Sequence, residues 1–289
     1  MIAHYGKQAE QKRRAVHKLP GASVELKMPQ IRDLFSPPDW YPTDHPAWPE
    51  VVSKGRRPDV AACGYCHLPN GQGRPENAGI AGLPAEYIEQ AMSDYRNGLR
   101  KSSEPRMGPP ARMLIIGKAA SAEEAHSAAV YFASLKFRPW IKVVEAKLVP
   151  KTHAAGGMLI VDEPKIMEPI GNRIIETPED LERTELRDSK SGFIAYVPPG
   201  SIKKGEALVN SGGNGKTVRC TICHGADLKG LGQVPPLAGR SPSYVARQLW
   251  DMQAGNRKGP WVALMKAAVS KLTIDDLVSI GAYTASKQP

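Results

Sequence analysis

The five residues Cys63-Gly-Tyr-Cys66-His67 recur as Cys220-Thr-Ile-Cys223-His224, and the recurrence extends well beyond them. At an offset of 157 positions, His67 aligns with His224, Gly82 with Gly239, Tyr87 with Tyr244, Gly98 with Gly255, and Arg100-Lys101 with Arg257-Lys258. The first copy then carries five extra residues, around Glu104-Pro-Arg-Met-Gly-Pro-Pro110. Beyond them the offset becomes 152, and Met113 aligns with Met265, Tyr131 with Tyr283, and Ala133-Ser134 with Ala285-Ser286. Glycines, tyrosines and a methionine shared in the same order mark a duplicated unit, so the chain must fold as two similar domains, each built round its own motif.

All four cysteines lie in these two motifs. A C-x-x-C pair alone suits half a zinc site or a redox dithiol. Two pairs can make a four-cysteine zinc ribbon, but such pairs usually stand about 15–20 residues apart. Here both pairs carry a following histidine, and C-x-x-C-H is the attachment pattern of c-type haem. Two thiols three positions apart share one face of a helical turn, where each can add to one vinyl group of the same porphyrin edge. The next residue then brings its imidazole under the ring as the proximal iron ligand. The expected cofactors are two covalently bound haem c groups, held through Cys63, Cys66 and His67 and through Cys220, Cys223 and His224.

Around the motifs the pattern is helical. Pro84 to Tyr95 reads as a helix ended by Gly98. Ser121-Ala-Glu-Glu124 is a capping box opening another that ends near Ser134. The second copy repeats the plan with helices over Ser243 to Gln253 and from Thr273-Ile-Asp-Asp276. The order C-x-x-C-H, Pro236-Leu-Ala-Gly239, Tyr244-Val-Ala-Arg-Gln248-Leu249, Gly255-Asn-Arg257, Met265, Leu272-Thr-Ile-Asp-Asp276 and Ala282-Tyr283 resembles a class I cytochrome c domain. Two in tandem resemble the diheme cytochromes c of bacterial respiratory and dehydrogenase chains, and the likeness covers somewhat over half of the chain.

The resemblance implies a sixth iron ligand, a methionine from the loop before the last helix. Met265 matches that position, and Met113 is its repeat partner. Met252, inside a helix, reads as core filler, and Met107, in the five-residue insertion, is the rival of Met113. His/Met ligation favours the reduced iron and raises both potentials. The resemblance also implies that each ligating histidine donates its free nitrogen to the carbonyl of a residue twelve positions on. That residue is Pro236 in the second copy and Gly79 in the first. With glycine there and five extra residues before Met113, the first iron is expected to be held less firmly, making the two haems unequal. Of the remaining histidines, His4, His17, His45, His126 and His153, none is expected to bind iron.

The expected class is therefore mainly α. Residues 1–50 read as an extended arm anchored by Trp40 and Trp48. Residues 51–138 form cytochrome c domain 1, and residues 201–289 form domain 2. Residues 139–200, rich in proline and β-branched residues, read as an ordered connector of short strands, a strap or small antiparallel sheet setting the separation of the domains.

The net charge is +10, and residues 201–289 contribute +7 of it against +5 for residues 1–138 and −2 for residues 139–200. No nucleic-acid motif accompanies the charge, so nucleic acid is not the expected partner. For a redox protein the charge suits steering toward an acidic partner. No run of about 18 apolar residues is present to cross a membrane. The expected role is periplasmic one-electron transfer between a dehydrogenase and a downstream oxidase or cytochrome. That location needs an export signal, and residues 1–14 lack the apolar core of one. The alternative is a diheme redox enzyme such as a cytochrome c peroxidase, which needs one open iron position. Diheme thiosulfate dehydrogenases use a cysteine as axial ligand, and no cysteine is left over here.

Overall fold

In the computed structural model, which describes residues 15–289, both copies build a helical frame from the cues in their sequence. The first consists of α1 (Cys63–His67), α2 (Ala85–Arg96), α3 (Gly108–Ala119) and α4 (Ala122–Ser134). The second consists of α5 (Ser201–Ser211), α6 (Thr221–His224), α7 (Pro242–Gln253) and α8 (Ile274–Ser286). The Ser121 hydroxyl accepts from the Glu124 amide at 3.0 Å, and the Glu124 carboxylate returns to the Ser121 amide at 2.7 Å, satisfying two free donors at the start of α4. Thr273 and Asp276 cap α8 in the same way.

The copies differ where the insertion falls. Ahead of its last helix the first copy places the twelve-residue α3, with Pro109 and Pro110 in its first turn, where a fixed φ suits the helix. The second copy has only a 3-10 turn, Pro260–Met265, running into the short helix Lys266–Val269. Met113 therefore sits on a helix, not in the loop the resemblance implies.

Each copy has its own core. Val52, Ile88, Ile116, Ala129 and Phe132 fill the first, and Leu208, Val209, Val245, Leu277 and Ile280 the second. Helix α5 lies across α8 with Gly205 against the Ser279 carbonyl, where any side chain would overlap it.

Between the copies, β1 (Ile141–Glu145), β2 (Leu148–Pro150), β3 (Thr152–Ala155), β4 (Met158–Val161), β5 (Met167–Pro169), β6 (Ile175–Pro178) and β7 (Phe193–Val197) follow in order. Strands β3 and β4 pair antiparallel, as do β2 and β5. The sequence reading expects an antiparallel sheet, but the three-stranded sheet β6-β7-β1 is mixed. Strand β7 pairs antiparallel with β6 and parallel with β1, because the chain returns to β1 from the same end after the intervening hairpins.

This segment binds both copies. Asn70, Gln72 and Arg74 of the first donate to the carbonyls of Ser189, Ser191 and Thr184. Glu176 on β6 accepts from Ser241, the cap of α7, at 2.9 Å. The arm adds a small core in which Trp40, buried with Leu19 and Ile31, donates its indole N–H to the Leu186 carbonyl at 2.8 Å. The first part of the expected arm, residues 1–14 with His4, lies outside the described residues.

Candidate functional site

Helix α1 is short because Leu68 leaves the helical conformation at φ 63° directly after His67. That break turns the chain so that the loop beyond can come back over the imidazole. His67 is buried, and its Nδ1 lies 2.8 Å from the Ala78 carbonyl oxygen. His224 is buried likewise, with Nδ1 2.8 Å from the Pro235 carbonyl. A carbonyl can only accept, so Nδ1 carries the proton and Nε2 keeps its lone pair, the tautomer that a metal ligand requires.

These contacts correct the sequence reading of the histidine partners. The partners are the carbonyls of Ala78 and Pro235, one residue before the expected Gly79 and Pro236. The two bonds are of equal length, 2.8 Å each. Burial pushes the pKa of His67 below its ordinary value, against the hydrogen bond that it donates to the Ala78 carbonyl, and burial likewise lowers that of His224. Both imidazoles are neutral at neutral pH. Burial also pushes the Cys63 thiol up to about 12 and Cys220 up to about 11, and raises Cys66.

In the first copy Cys63, Cys66 and His67 line one cavity with Met113. Ile88, Ile116 and Phe132 supply its apolar wall, with the Phe132 ring edge-on to His67 at 6.0 Å. Met107 caps α3 and is not among the lining residues. Met92 does line the cavity, but its repeat counterpart is Leu249, so the position accepts a plain aliphatic. In the second copy His224 is buried, Cys220 half-buried and Cys223 exposed, and Met265 ends the turn Pro260–Met265 half-buried. Among the described residues no cluster of three or more His, Cys, Asp or Glu side chains forms a metal site, and the four cysteines stay as two separate pairs.

The far end of the first cavity is polar and shared between the copies. It is lined by Tyr87 and Arg100 of the first copy and by Tyr244 and Gln248 of the second. Arg100 donates to the Tyr244 hydroxyl at 3.0 Å and to Gln248 Oε1 at 2.9 Å. Arg257 donates to the Tyr87 hydroxyl at 2.8 Å and to Gln248 Oε1 at 3.1 Å. Thiols at one edge, an imidazole and a thioether, apolar walls and a cationic rim fit a flat apolar macrocycle that carries carboxylates on one side. The sequence held part of this signal, since Tyr87, Tyr244, Arg100 and Arg257 are repeat matches. Gln248 has no repeat match, since its counterpart is Ala91, and stands out only as part of the motif Tyr244-Val-Ala-Arg-Gln248-Leu249.

A helical frame with C-x-x-C-H on a short helix of its own, and a carbonyl-anchored histidine at that helix's end, is the site of a c-type haem protein. Comparison with known proteins agrees. No family model matches the chain. Cytochrome c-554(548) of Halomonas halodenitrificans is 35% identical over 77 residues, which are 26% of this chain and 93% of that protein. Cytochrome c4 of Stutzerimonas stutzeri is 29% identical over 136 residues, and the alignment takes in 42% of this chain and 63% of that protein. A thiosulfate dehydrogenase electron acceptor of the same species is 25% identical over 236 residues, 80% of this chain and 82% of that one. Among solved structures, reduced cytochrome c4 from Pseudomonas stutzeri superposes with a TM-score of 0.51 at 21% identity, over 79% of this chain and 94% of that one. Thiosulfate dehydrogenase (TsdBA) from Marichromatium purpuratum also gives 0.51, at 22% identity, over 78% of this chain but only 36% of that one. The chain belongs to the diheme c-type cytochromes, electron-transfer proteins with covalently bound haem c.

Proposed function

We propose that this protein is a periplasmic electron carrier that accepts single electrons from a dehydrogenase and passes them to a downstream cytochrome or oxidase, each iron ligated by His and Met. The observation that carries the reading is the first cavity, which gathers Cys63, Cys66, His67 and Met113 around an apolar interior. Bound there, haem c would supply a one-electron couple, while the chain fixes the histidine tautomer, offers a thioether that favours the reduced iron, and keeps water out. His224 and Met265 take the same roles in domain 2, residues 201–289, by repeat correspondence; domain 1 spans residues 51–138. The likeness to a thiosulfate dehydrogenase electron acceptor, over most of both chains, supports a dehydrogenase as the donor. No helix among the described residues is long and apolar enough to cross a membrane.

The test is expression in a strain competent for haem attachment, followed by mass spectrometry and redox titration. Two covalent haem additions, two one-electron waves and no turnover of peroxide are expected. An unmodified chain, or rapid peroxide consumption by the purified protein, would overturn the carrier reading.

A further inference from the structure

Arg240 belongs to the second copy, yet its side chain lies inside the first. Its Nη1 donates to the Gly79 carbonyl at 2.6 Å, and its Nη2 donates to the Ala81 carbonyl at 2.9 Å. The guanidinium stacks over the Phe137 ring, 3.8 Å from its centroid. It is 5% exposed, and no carboxylate among the described residues faces it; its polar neighbours are the Tyr244 and Tyr87 phenols. Burial lowers its pKa to about 10, so it remains charged at neutral pH. A buried cation held only by carbonyl oxygens and a ring face is costly, and such arrangements persist where the charge or its geometry has a use.

The loop it grips is the one that orients the first histidine. Ala78, whose carbonyl holds His67 Nδ1, directly precedes Gly79. From its own side the loop is tied by the amides of Ile80 and Ala81, which donate to the Gly71 carbonyl at 2.8 and 2.9 Å. The second copy has the matching ties, from Leu237 and Ala238 to the Leu228 carbonyl. It also has Pro236, whose ring locks φ next to Pro235. The first copy has Gly79 instead, because a side chain there would meet the Gln72 carbonyl at 2.5 Å and the Phe137 ring at 3.0 Å. Glycine gives up the stiffness that proline supplies. The guanidinium clamp replaces it from outside, and the clamp is one-way, since the residue matching Arg240 in the first copy is Leu83.

We propose that Arg240 is a positioning residue for the first haem: from domain 2 it locks the loop that holds His67, and its buried positive charge favours the reduced state of that haem over that of the second. The redox balance between the two haems is then set by the docking of the domains as well as by each domain alone. The proposal rests on the two-haem reading above, and a protein lacking covalent haem fails that reading rather than this one.

The test uses the full haem-loaded chain, with potentials measured by spectroelectrochemical titration. The first haem is assigned by paramagnetic proton NMR through Phe132, which lies edge-on to His67. Arg240→Leu, which installs the residue type of the first copy, should shift the reduction equilibrium of the first haem about tenfold toward the oxidised form, about 59 mV for one electron. The second haem should not move. Arg240→Lys keeps the charge and one carbonyl bond and should recover more than half of the shift. If the leucine variant does not load both haems, Arg240→Gln replaces it with the same expectation. An unmoved first haem, equal shifts in both haems, or a lysine variant that behaves like the leucine variant would each overturn the proposal.

Discussion

Arg100 and Arg257, one in each copy, pair their backbones in an antiparallel bridge, and each donates to the tyrosine of the other copy while both meet at Gln248 Oε1. The Lys101 amide donates to the Asn256 carbonyl at 2.7 Å and the Lys258 amide to Leu99 at 2.8 Å, so the exchange is anchored on both sides. The duplicated residues thereby form the joint between the duplicated domains. Both arginines are buried, and both flank the polar end of the first cavity through Gln248.

Arg257→Ala should destabilise this joint by about 1–3 kcal/mol, because it leaves the Tyr87 hydroxyl without its charged donor and Gln248 with Arg100 alone. Tyr87→Phe should cost less, and adding it to Arg257→Ala should cost almost nothing more. Urea unfolding of the four proteins of this double-mutant cycle checks it. Strictly additive losses would mean that the 2.8 Å contact contributes nothing.

Met113→Ala and Met265→Ala should each abolish the weak sulfur-to-iron absorption of one haem near the red end of the oxidised spectrum and lower that haem's potential. Met107→Ala should leave both spectrum and potentials unchanged. Difference spectra of the three variants decide between Met113 and Met107.

Acid should weaken the fold through Asp276. Burial by itself would raise this carboxyl, but hydrogen bonds from Lys204, Lys216 and Thr273 outweigh it and hold the pKa far below the usual carboxylate range. Its Oδ1 lies 2.8 Å from Lys204 Nζ, and its side chain is fully buried. A depressed folded pKa gives stability that is complete above the unfolded value of about 3.9 and is lost as the pH falls toward the folded value. Asp276→Asn should therefore lower Tm strongly at pH 7 and much less near pH 2. Equal losses of Tm at both pH values would contradict this.

Electron transfer to an acidic partner should slow as salt rises, because charges on the two surfaces are screened over about 10 Å at 0.1 M. Charge reversal at Lys258 or Lys266, both exposed in the more basic second copy, should weaken that dependence more than reversal at Lys118. Stopped-flow rates across a salt series, with the physiological donor or acceptor, provide the check.

The sequence by itself determined the duplication, the two attachment motifs and the principal helices. Those signals are local: thiols three apart, a histidine next to them, and the capping pairs at Ser121–Glu124 and Thr273–Asp276 act within a few residues of chain. It missed the helix at Gly108–Ala119, where the insertion reads as a loop although Pro109 and Pro110 pre-set a first turn. It also placed the histidine partners one residue late, since a carbonyl carries no side-chain signature and its direction depends on how the loop folds back. Only the tertiary structure decided that strand Phe193–Val197 pairs parallel with Ile141–Glu145, that Gln248 completes the joint, and that Arg240 reaches into the other domain. These contacts join residues some 50 to 160 positions apart, and their partners are mostly backbone carbonyls, which every residue has and no sequence pattern distinguishes.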